Sequence, residues 1–369
     1  MRFVILKDNL NKALSIVGKG LSLKPQLPIL SHILFKSQNN QLQLFSTNLE
    51  LGIIYNTAAK IEKEGEVAVP GKLLTEFVNS IVTDKIEVQL DGNGLKVTSD
   101  KTKATLAVGN PADFPPFPPY SNPDKKLEYK KIKDAILRTV FAASTDEGRP
   151  VLTGVKTQII EGKLLLSSTD GYRLSKEEVE LSGKTDQMEA VLPAQSLTEM
   201  VRIAQEVDAE QVGISVIENK NQVVFDLPNT KIFTRLIDGE FPNVDKIIPE
   251  KYKTRVVIDK DLFLQTVKTA SIFARGSANI VKLKIEKSGI IISANTPAVG
   301  EEESTIDAKV EGDEMEIAFN FRFLIEFLNN FPGQNVVFES EGPLNPGVFR
   351  SDKKDSSFLH IIMPVRVQN

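Results

Sequence analysis

Two alternating periods organise the apolar positions of this chain. Leu10, Leu14 and Val17, then Ile136, Val140 and Ala143, then Phe263, Val267 and Ala270 follow i, i+4, i+7 spacing. That spacing puts each trio on one face of a helix. Lys7-Asp8, Lys133-Asp134 and Lys260-Asp261 open the three patterns. Next come segments of period two, the mark of half-buried strands. Leu30, Leu42, Leu44, Ser46 and Thr47 recur as Leu152, Leu164, Leu166, Ser168 and Thr169 at an offset of 122, with Ile290, Ile292, Ala294 and Asn295 as a third set. A second helical run follows each time: VPGKLLTEFVNSI from Val69, LPAQSLTEMVRIA from Leu192 and FNFRFLIEFLNNF from Phe319. They superpose without a gap, with Glu76, Glu199 and Glu326 in register and Phe77, Met200 and Phe327 after them.

The period of about 120 residues is too long for a solenoid repeat, so each copy is expected to be a domain with its own core. The proline-rich NPADFPPFPPYSNPDKK from Asn110 cannot continue a helix or a central strand and reads as the first linker. A second lies near FPNVDKIIPEKYK from Phe241. The expected division is 1–122, 123–250 and 251–369. The expected fold class is α+β: three repeated domains, each with two helices against antiparallel sheets. The first copy, aligned through Lys7 and Lys133, carries four residues more than the second around GKGLSLKPQ.

Composition narrows the function. With no cysteine there is no disulfide, thiolate metal site or Cys nucleophile, and His32 and His360 are the only histidines. No apolar run is long enough to span a membrane. MRFVILKDNL lacks the features of a signal peptide, so a cytoplasmic protein with no membrane partner is expected. Net charge is −4, so any attraction to nucleic acid must come from segregated charge. Lys7, Lys12, Lys72, Lys130, Lys131, Lys133, Arg138, Arg202, Lys260, Lys268 and Arg322 gather on the helical runs, while Glu301, Glu302, Glu303, Asp313, Glu314 and Glu316 gather elsewhere. A basic helix face is ordinarily just solvated. Its recurrence in three copies points to sequence-independent attraction to duplex phosphates. No base-reading motif accompanies it.

LPIL (Leu27 to Leu30), TDGYRL (Thr169 to Leu174), DGEFP (Asp238 to Pro242) and MPVRV (Met363 to Val367) stand in the order and spacing of the bacterial DNA polymerase III β subunits, and the chain resembles that sliding-clamp family over its whole length. The resemblance implies a DNA clamp fold, half of a ring that closes head to tail as a homodimer around duplex DNA without sequence specificity. The implied role is to confer processivity without catalysis or cofactor. Implied partners are the DNA polymerase III α subunit, the clamp-loader δ subunit, and other polymerases and repair proteins carrying a short Gln/Leu/Phe-type motif.

The same resemblance implies a partner-peptide pocket at Arg149, Leu152, Thr169, Gly171, Tyr172, Arg173, Leu174, Pro242, Lys246, Ile247, Asn320, Phe323, Met363, Pro364, Val365 and Arg366. Leu152, Leu174, Ile247 and Val365 are its expected apolar walls; Arg149, Asn320 and Arg366 would orient the peptide. Taken alone, Thr169 to Leu174 reads as a tight turn around Gly171. Lys24, Lys7, Lys12, Lys72, Arg138 and Arg202 are the expected DNA contacts, Lys24 on an inserted loop. Asp146, Pro150, Val151 and Gln195 depart from the family's usual DNA-contacting residues. Lys101, Lys103, Leu106, Ile272, Phe273 and Glu301 to Glu303 are the expected dimer contacts, with opposite charges at opposite ends suiting a head-to-tail interface. No metal site is expected.

Two rival classes remain. An enzyme would need a catalytic or metal-ligand spacing, and none is recognisable around Asp170 or Asp238; no phosphate-binding glycine loop occurs either. A repeat-built protein scaffold that does not encircle DNA would account for the pocket but not for the basic helices.

Overall fold

The computed structural model describes residues 1–22, 25–38, 41–92, 94–120, 123, 126–181, 187–217, 220–276, 278–296, 300–353 and 356–366. Lys24 lies outside them, as do Val367, Gln368 and Asn369.

Each copy contains two helices: α1 (Lys7–Gly18) and α2 (Gly71–Ser80), α3 (Tyr129–Val140) and α4 (Ala194–Glu206), α5 (Lys260–Ala274) and α6 (Phe321–Asn330). One device starts the first helix of every copy. The leading N–H, which has no intrahelical partner, donates to a carbonyl late in the same copy: Lys7 to Asp84 at 2.8 Å, Tyr129 to Glu210 at 2.9 Å, Lys260 to Gln334 at 2.8 Å. Asp259 adds a side-chain cap to α5 by accepting from the Leu262 N–H at 2.9 Å.

This device corrects the sequence alignment. Tyr129, not Lys133, is the counterpart of Lys7, and α1 and α3 both have 12 residues. The offset of 122 therefore holds from the helix start onward, and the second copy lacks no four residues. The buried face of α3 is Ile132, Ala135, Ile136 and Thr139, matching Leu10, Ala13, Leu14 and Val17 of α1. Val140 is only half buried and Ala143 lies beyond the helix end. Thr139 fills a position where α1 has Val17, and its hydroxyl is satisfied by the Ala135 and Ile136 carbonyls, so apolar periodicity alone misses it.

Contact density divides the chain into two compact units, 1–130 with 195–236 and 131–194 with 237–369. In the first unit a five-stranded sheet holds Lys60–Lys63, Arg2–Leu6, Lys85–Asp91, Gly94–Ser99 and Thr102–Ala107, in that order. An eight-stranded sheet runs Lys126–Glu128, Gln211–Ile217, Gln222–Leu227, Thr230–Arg235, Leu51–Ala58, Gln41–Thr47, His32–Gln38, Gly65–Pro70. The second unit has a nine-stranded sheet: Met188–Pro193, Gly154–Ile160, Lys163–Thr169, Arg173–Glu180, Leu359–Ile362, Gly347–Ser351, Asn335–Ser340, Thr254–Asp259, Lys309–Gly312. Its four-stranded sheet is Gly300–Asp307, Gly289–Thr296, Ile280–Glu286, Met315–Asn320. Every named strand pairing is antiparallel.

The two large sheets are continuous across repeats. Thr230–Arg235 of the second copy pairs with Leu51–Ala58 of the first, Thr234 opposite Leu51. Leu359–Ile362 of the third copy pairs with Arg173–Glu180 of the second, Ile362 opposite Arg173. These seams use equivalent strands. After the last strand each chain segment hooks back onto its own copy: Gly109 N–H to Ala68 O at 2.8 Å, Ile237 to Val191 at 2.9 Å, Val365 to Ala318 at 2.8 Å.

Helices cover one face of the sheets. In the first unit α1 and α2 pack side by side, and the Ser46 hydroxyl donates to the Val17 carbonyl at 2.5 Å. In the second, α5 and α6 enclose Phe263, Phe319, Phe327, Phe338, Phe349 and Phe358, all essentially buried. Fully burying an aromatic of this size contributes roughly 1.5–3 kcal/mol before entropy is counted. The third copy thus has the apolar core its repeat length demands.

Candidate partner groove and charged faces

The TDGYRL segment folds as a self-bonded turn. Asp170 Oδ1 accepts from the Tyr172 and Arg173 N–H groups at 2.9 and 3.0 Å. Thr169 Oγ1 accepts from Gly171 N–H at 3.0 Å and donates to the Arg173 carbonyl at 2.6 Å. Gly171 takes φ +93°, in the left-handed region that favours glycine. The turn projects Tyr172 outward, 61% exposed, and turns Arg173 inward.

Arg173 is the hub of this region. It is 8% exposed and its guanidinium reaches Asp170 Oδ2 at 3.0 Å, Glu326 Oε2 at 2.5 Å and the Phe141 carbonyl at 2.8 Å. It also lies over the rings of Phe323 and Phe141, at 4.6 and 5.7 Å. One buried cation thereby ties the turn to α6 and to the end of α3. Glu326 is visible in the sequence as a register residue of the second helix; its role here is not. Phe141, one residue past α3, gave no sequence signal.

Beside the hub, Leu174 is fully buried with Val191, Phe241, Val244, Val348, Leu359 and Ile361, so it is a floor residue and not the expected wall. Tyr172, Ile247 and Met363 are the exposed apolar rim; Leu152, Phe323, Pro364 and Val365 are half buried. Arg149, Gly171, Pro242, Lys246 and Arg366 are exposed and Thr169 is buried. The carboxy-terminal segment joins through the Met363 N–H donating to the Tyr172 carbonyl at 2.8 Å, alongside the Val365 bond to Ala318. Arg149 pairs with Asp146 at 3.2 Å, and Asn320 caps α6 by accepting from Arg322 N–H at 3.0 Å. The Asn320 side chain is thus engaged in the cap. An exposed apolar rim above a buried apolar cluster, with exposed cations nearby, suits a short peptide with apolar side chains.

His360 and Glu177 lie in the same unit. His360 is fully buried, its ring stacked on Phe327 at 4.9 Å and its Nδ1 2.7 Å from Ser175 Oγ. Burial, with the nearby Arg173 charge, holds its imidazole neutral well below the usual range. Burial also pushes the Glu177 carboxyl up to about 7, against the pull of Arg138 at 3.2 Å; Asp134 adds a smaller push upward.

The proposed DNA-facing residues differ in their surroundings. Lys12 and Lys72 are exposed, Lys72 having only a 4.0 Å approach to Glu76. Arg202 is exposed beside Glu199 at 2.7 Å. Lys7 donates its ammonium to the Ile81 carbonyl, and Arg138 is three-quarters covered between Asp134 and Glu177. Lys101, Lys103, Glu301 and Glu303 are exposed, Glu302 half so; Leu106 is buried. Ile272 is 61% exposed and Phe273 half buried. Among the described residues no cluster of three or more His, Cys, Asp or Glu side chains is placed to hold a metal ion, and no helix is long and apolar enough to cross a membrane.

Three family models match in succession: the DNA polymerase III beta subunit amino-terminal domain over 1–118, its central domain over 126–243 and its carboxy-terminal domain over 245–366. The beta sliding clamps of Staphylococcus epidermidis and Staphylococcus aureus are each 27% identical to the chain, with 99% of both sequences aligned. Among solved structures, the DNA polymerase III beta chain of Streptococcus pneumoniae superposes with a TM-score of 0.95 at 27% identity, covering 99% of this chain and 100% of that one. The Bacillus subtilis DNA polymerase sliding clamp gives 0.94 at 28% identity over 100% of both.

Proposed function

The chain belongs to the DNA polymerase III β-subunit family, the bacterial sliding clamps, and from that premise we propose that it works as a cytoplasmic, non-catalytic homodimeric ring around duplex DNA. The observation that carries the ring is the pair of unused strand edges. Both internal seams join a strand equivalent to Leu51–Ala58 with one equivalent to Thr230–Arg235. The third copy's counterpart of the former, Gly300–Asp307, and the first copy's counterpart of the latter, Thr102–Ala107, are sheet edges. An exposed edge invites pairing. Two chains joined head to tail would use both edges twice and leave neither open.

The internal register carries over to that contact. Leu106 and Gly300 are the counterparts of Thr234 and Leu51, so this register sets Lys103 opposite Glu303, both of them exposed. Ile272 supports the same contact. Its counterparts Lys19 and Phe141 each reach across a seam, Lys19 to Glu206 at 2.5 Å and Phe141 to His360 at 5.3 Å between rings, while Ile272 is exposed. The domain division of 1–122, 123–250 and 251–369 goes with this reading, since each seam joins neighbouring copies.

In the ring, the exposed cations on the helices attract the phosphate backbone without reading bases. Topology supplies persistence, and the groove beside Arg173 supplies the tether: a polymerase α subunit, a loader δ subunit or a repair protein bound there keeps a high effective concentration at the primer end. Sedimentation tests the assembly. A species of about 80 kDa is expected from the 40.8 kDa chain, and Ile272→Asp with Phe273→Asp should yield monomers. A stable wild-type monomer at micromolar concentration would contradict the ring.

A further inference from the structure

The two internal seams share their construction but differ in what covers them. At the second, Leu174 is buried with the linker residues Phe241 and Val244, and Ile247 follows exposed three residues on. Counting along the repeat puts Gly52 in the place of Leu174. DFP at Asp113 and EFP at Glu240 then put Phe114, Phe117 and Tyr120 in the places of Phe241, Val244 and Ile247. The first seam therefore carries larger side chains at two of its three linker positions, Phe117 and Tyr120, and none at Gly52.

Those larger side chains occupy the groove. FPPFPPY holds prolines at 115, 116, 118 and 119, and Phe114 itself has φ −76° and ψ 131°. Such a run favours the polyproline helix, whose three residues per turn line Phe114, Phe117 and Tyr120 along one edge. Phe114 is buried against Leu34 and Ala68. The Phe117 ring meets Phe45 at 5.6 Å and Phe233 edge-on at 5.1 Å. It rests so closely on Gly52 that a Cβ there would stand 2.6 Å from the ring, which explains glycine at that position. Tyr120 meets Phe233 at 5.3 Å and lies under the Lys231 ammonium at 5.5 Å, a cation held in turn by Asp226. Backed by Ile54 and Val224, this is an aromatic-lined surface holding an extended proline-rich segment.

We propose that the first seam is a second peptide groove, built like the partner groove and held by the chain's own Phe114–Tyr120 run. Its ligand class is an extended, proline-rich peptide with aromatic residues three apart. The second seam carries the smaller Val244 and Ile247 in the corresponding places, so its surface is the one left for a partner's side chains. The inference rests on the partner-groove reading only for that comparison.

The test uses the full chain and a fluorescein-labelled peptide with the sequence of residues 111–120. The peptide is titrated into wild type and into Phe117→Gly/Tyr120→Ser by anisotropy, with saturating unlabelled Gln/Leu/Phe-type peptide present to block the second groove. One labelled peptide per variant chain is expected, bound at least about tenfold more tightly than by wild type. A folded variant that takes no peptide, or equal binding by wild type, overturns the proposal. If the double variant does not fold, Phe117→Val, which copies Val244, is read by the same criteria; failure of both to fold also overturns it, because a groove ligand is separable from the fold. Binding of the Gln/Leu/Phe-type peptide to wild type is measured alone. Its absence counts against the partner groove and leaves the linker result standing.

Discussion

Deleting Met363 to Asn369 should separate the groove from the fold. The strand before the cut, Leu359–Ile362, is buried and paired on both sides, with Arg173–Glu180 and with Gly347–Ser351. The deletion leaves that ladder intact. Within the described residues it removes two backbone hydrogen bonds, Met363 to Tyr172 and Val365 to Ala318, each 2.8 Å. At about 0.5–1.5 kcal/mol net apiece they amount to roughly 1–3 kcal/mol of stability. Met363 is 40% exposed and Pro364 and Val365 are half buried, so some apolar burial is lost as well. A fall of a few degrees in Tm is expected, about 2–4 °C per kcal/mol for a body of this size. Peptide binding should suffer more, because one rim of the groove disappears. Losing anchor contacts commonly costs about 2 kcal/mol or more, roughly thirtyfold in Kd. Anisotropy with a Gln/Leu/Phe-type peptide, thermal melting and sedimentation on one preparation give all three numbers. Unchanged affinity in a folded deletion refutes the groove; loss of the dimer shows that the segment serves assembly instead.

The proposed seam register makes Lys103→Glu and Glu303→Lys each weaken the dimer in sedimentation, whereas the double reversal recovers most of the loss; two singly harmless reversals would place the edges in another register. Arg173→Ala should destabilise the protein by about 3–5 kcal/mol, since it strands the partly covered Asp170 and the Phe141 carbonyl beside an aromatic shell; a melting change under a degree would deny it the hub role. Glu177 gives a pH signature. Its folded carboxyl titrates near 7 and the unfolded one near 4.5, so the native chain holds a proton through that window. Its stabilising effect is lost as pH rises between those values, by up to about 3 kcal/mol. His360 acts oppositely: held neutral, it costs stability as pH falls below its usual 6.5. Glu177→Gln should therefore gain on wild type in urea melts as pH climbs from 5 to 8, and a pH-independent difference would contradict the assignment.

The threefold repeat is legible in sequence because the same helices and strands recur in each copy, and apolar periodicity reports their buried faces residue by residue. The start of α3 is not, because a backbone bond from Tyr129 to Glu210 fixes it and no side-chain pattern records that bond. The seams are equally hidden. Leu51 meets Thr234 and Arg173 meets Ile362 across long stretches of chain, and antiparallel pairing through backbone groups leaves no residue signature. The middle copy accordingly divides between the compact units: its strands from Gly154 to Pro193 join the third copy's sheet, while Lys126–Glu128 and the strands from Gln211 to Arg235 join the first's. At the groove, the turn chemistry of Thr169, Asp170 and Gly171 can be read locally. The inward Arg173 and the buried Leu174 cannot, because their burial depends on α6 and on the strand Leu359–Ile362.

The proposed ring would hold DNA by encircling it. The direct measurement is retention on a nicked circular duplex after loading, followed by linearisation with a single-cutting nuclease. A ring retained by topology and not by affinity should survive moderate salt on the circle and leave once the ends are free. Equal retention on circular and linear DNA would contradict it.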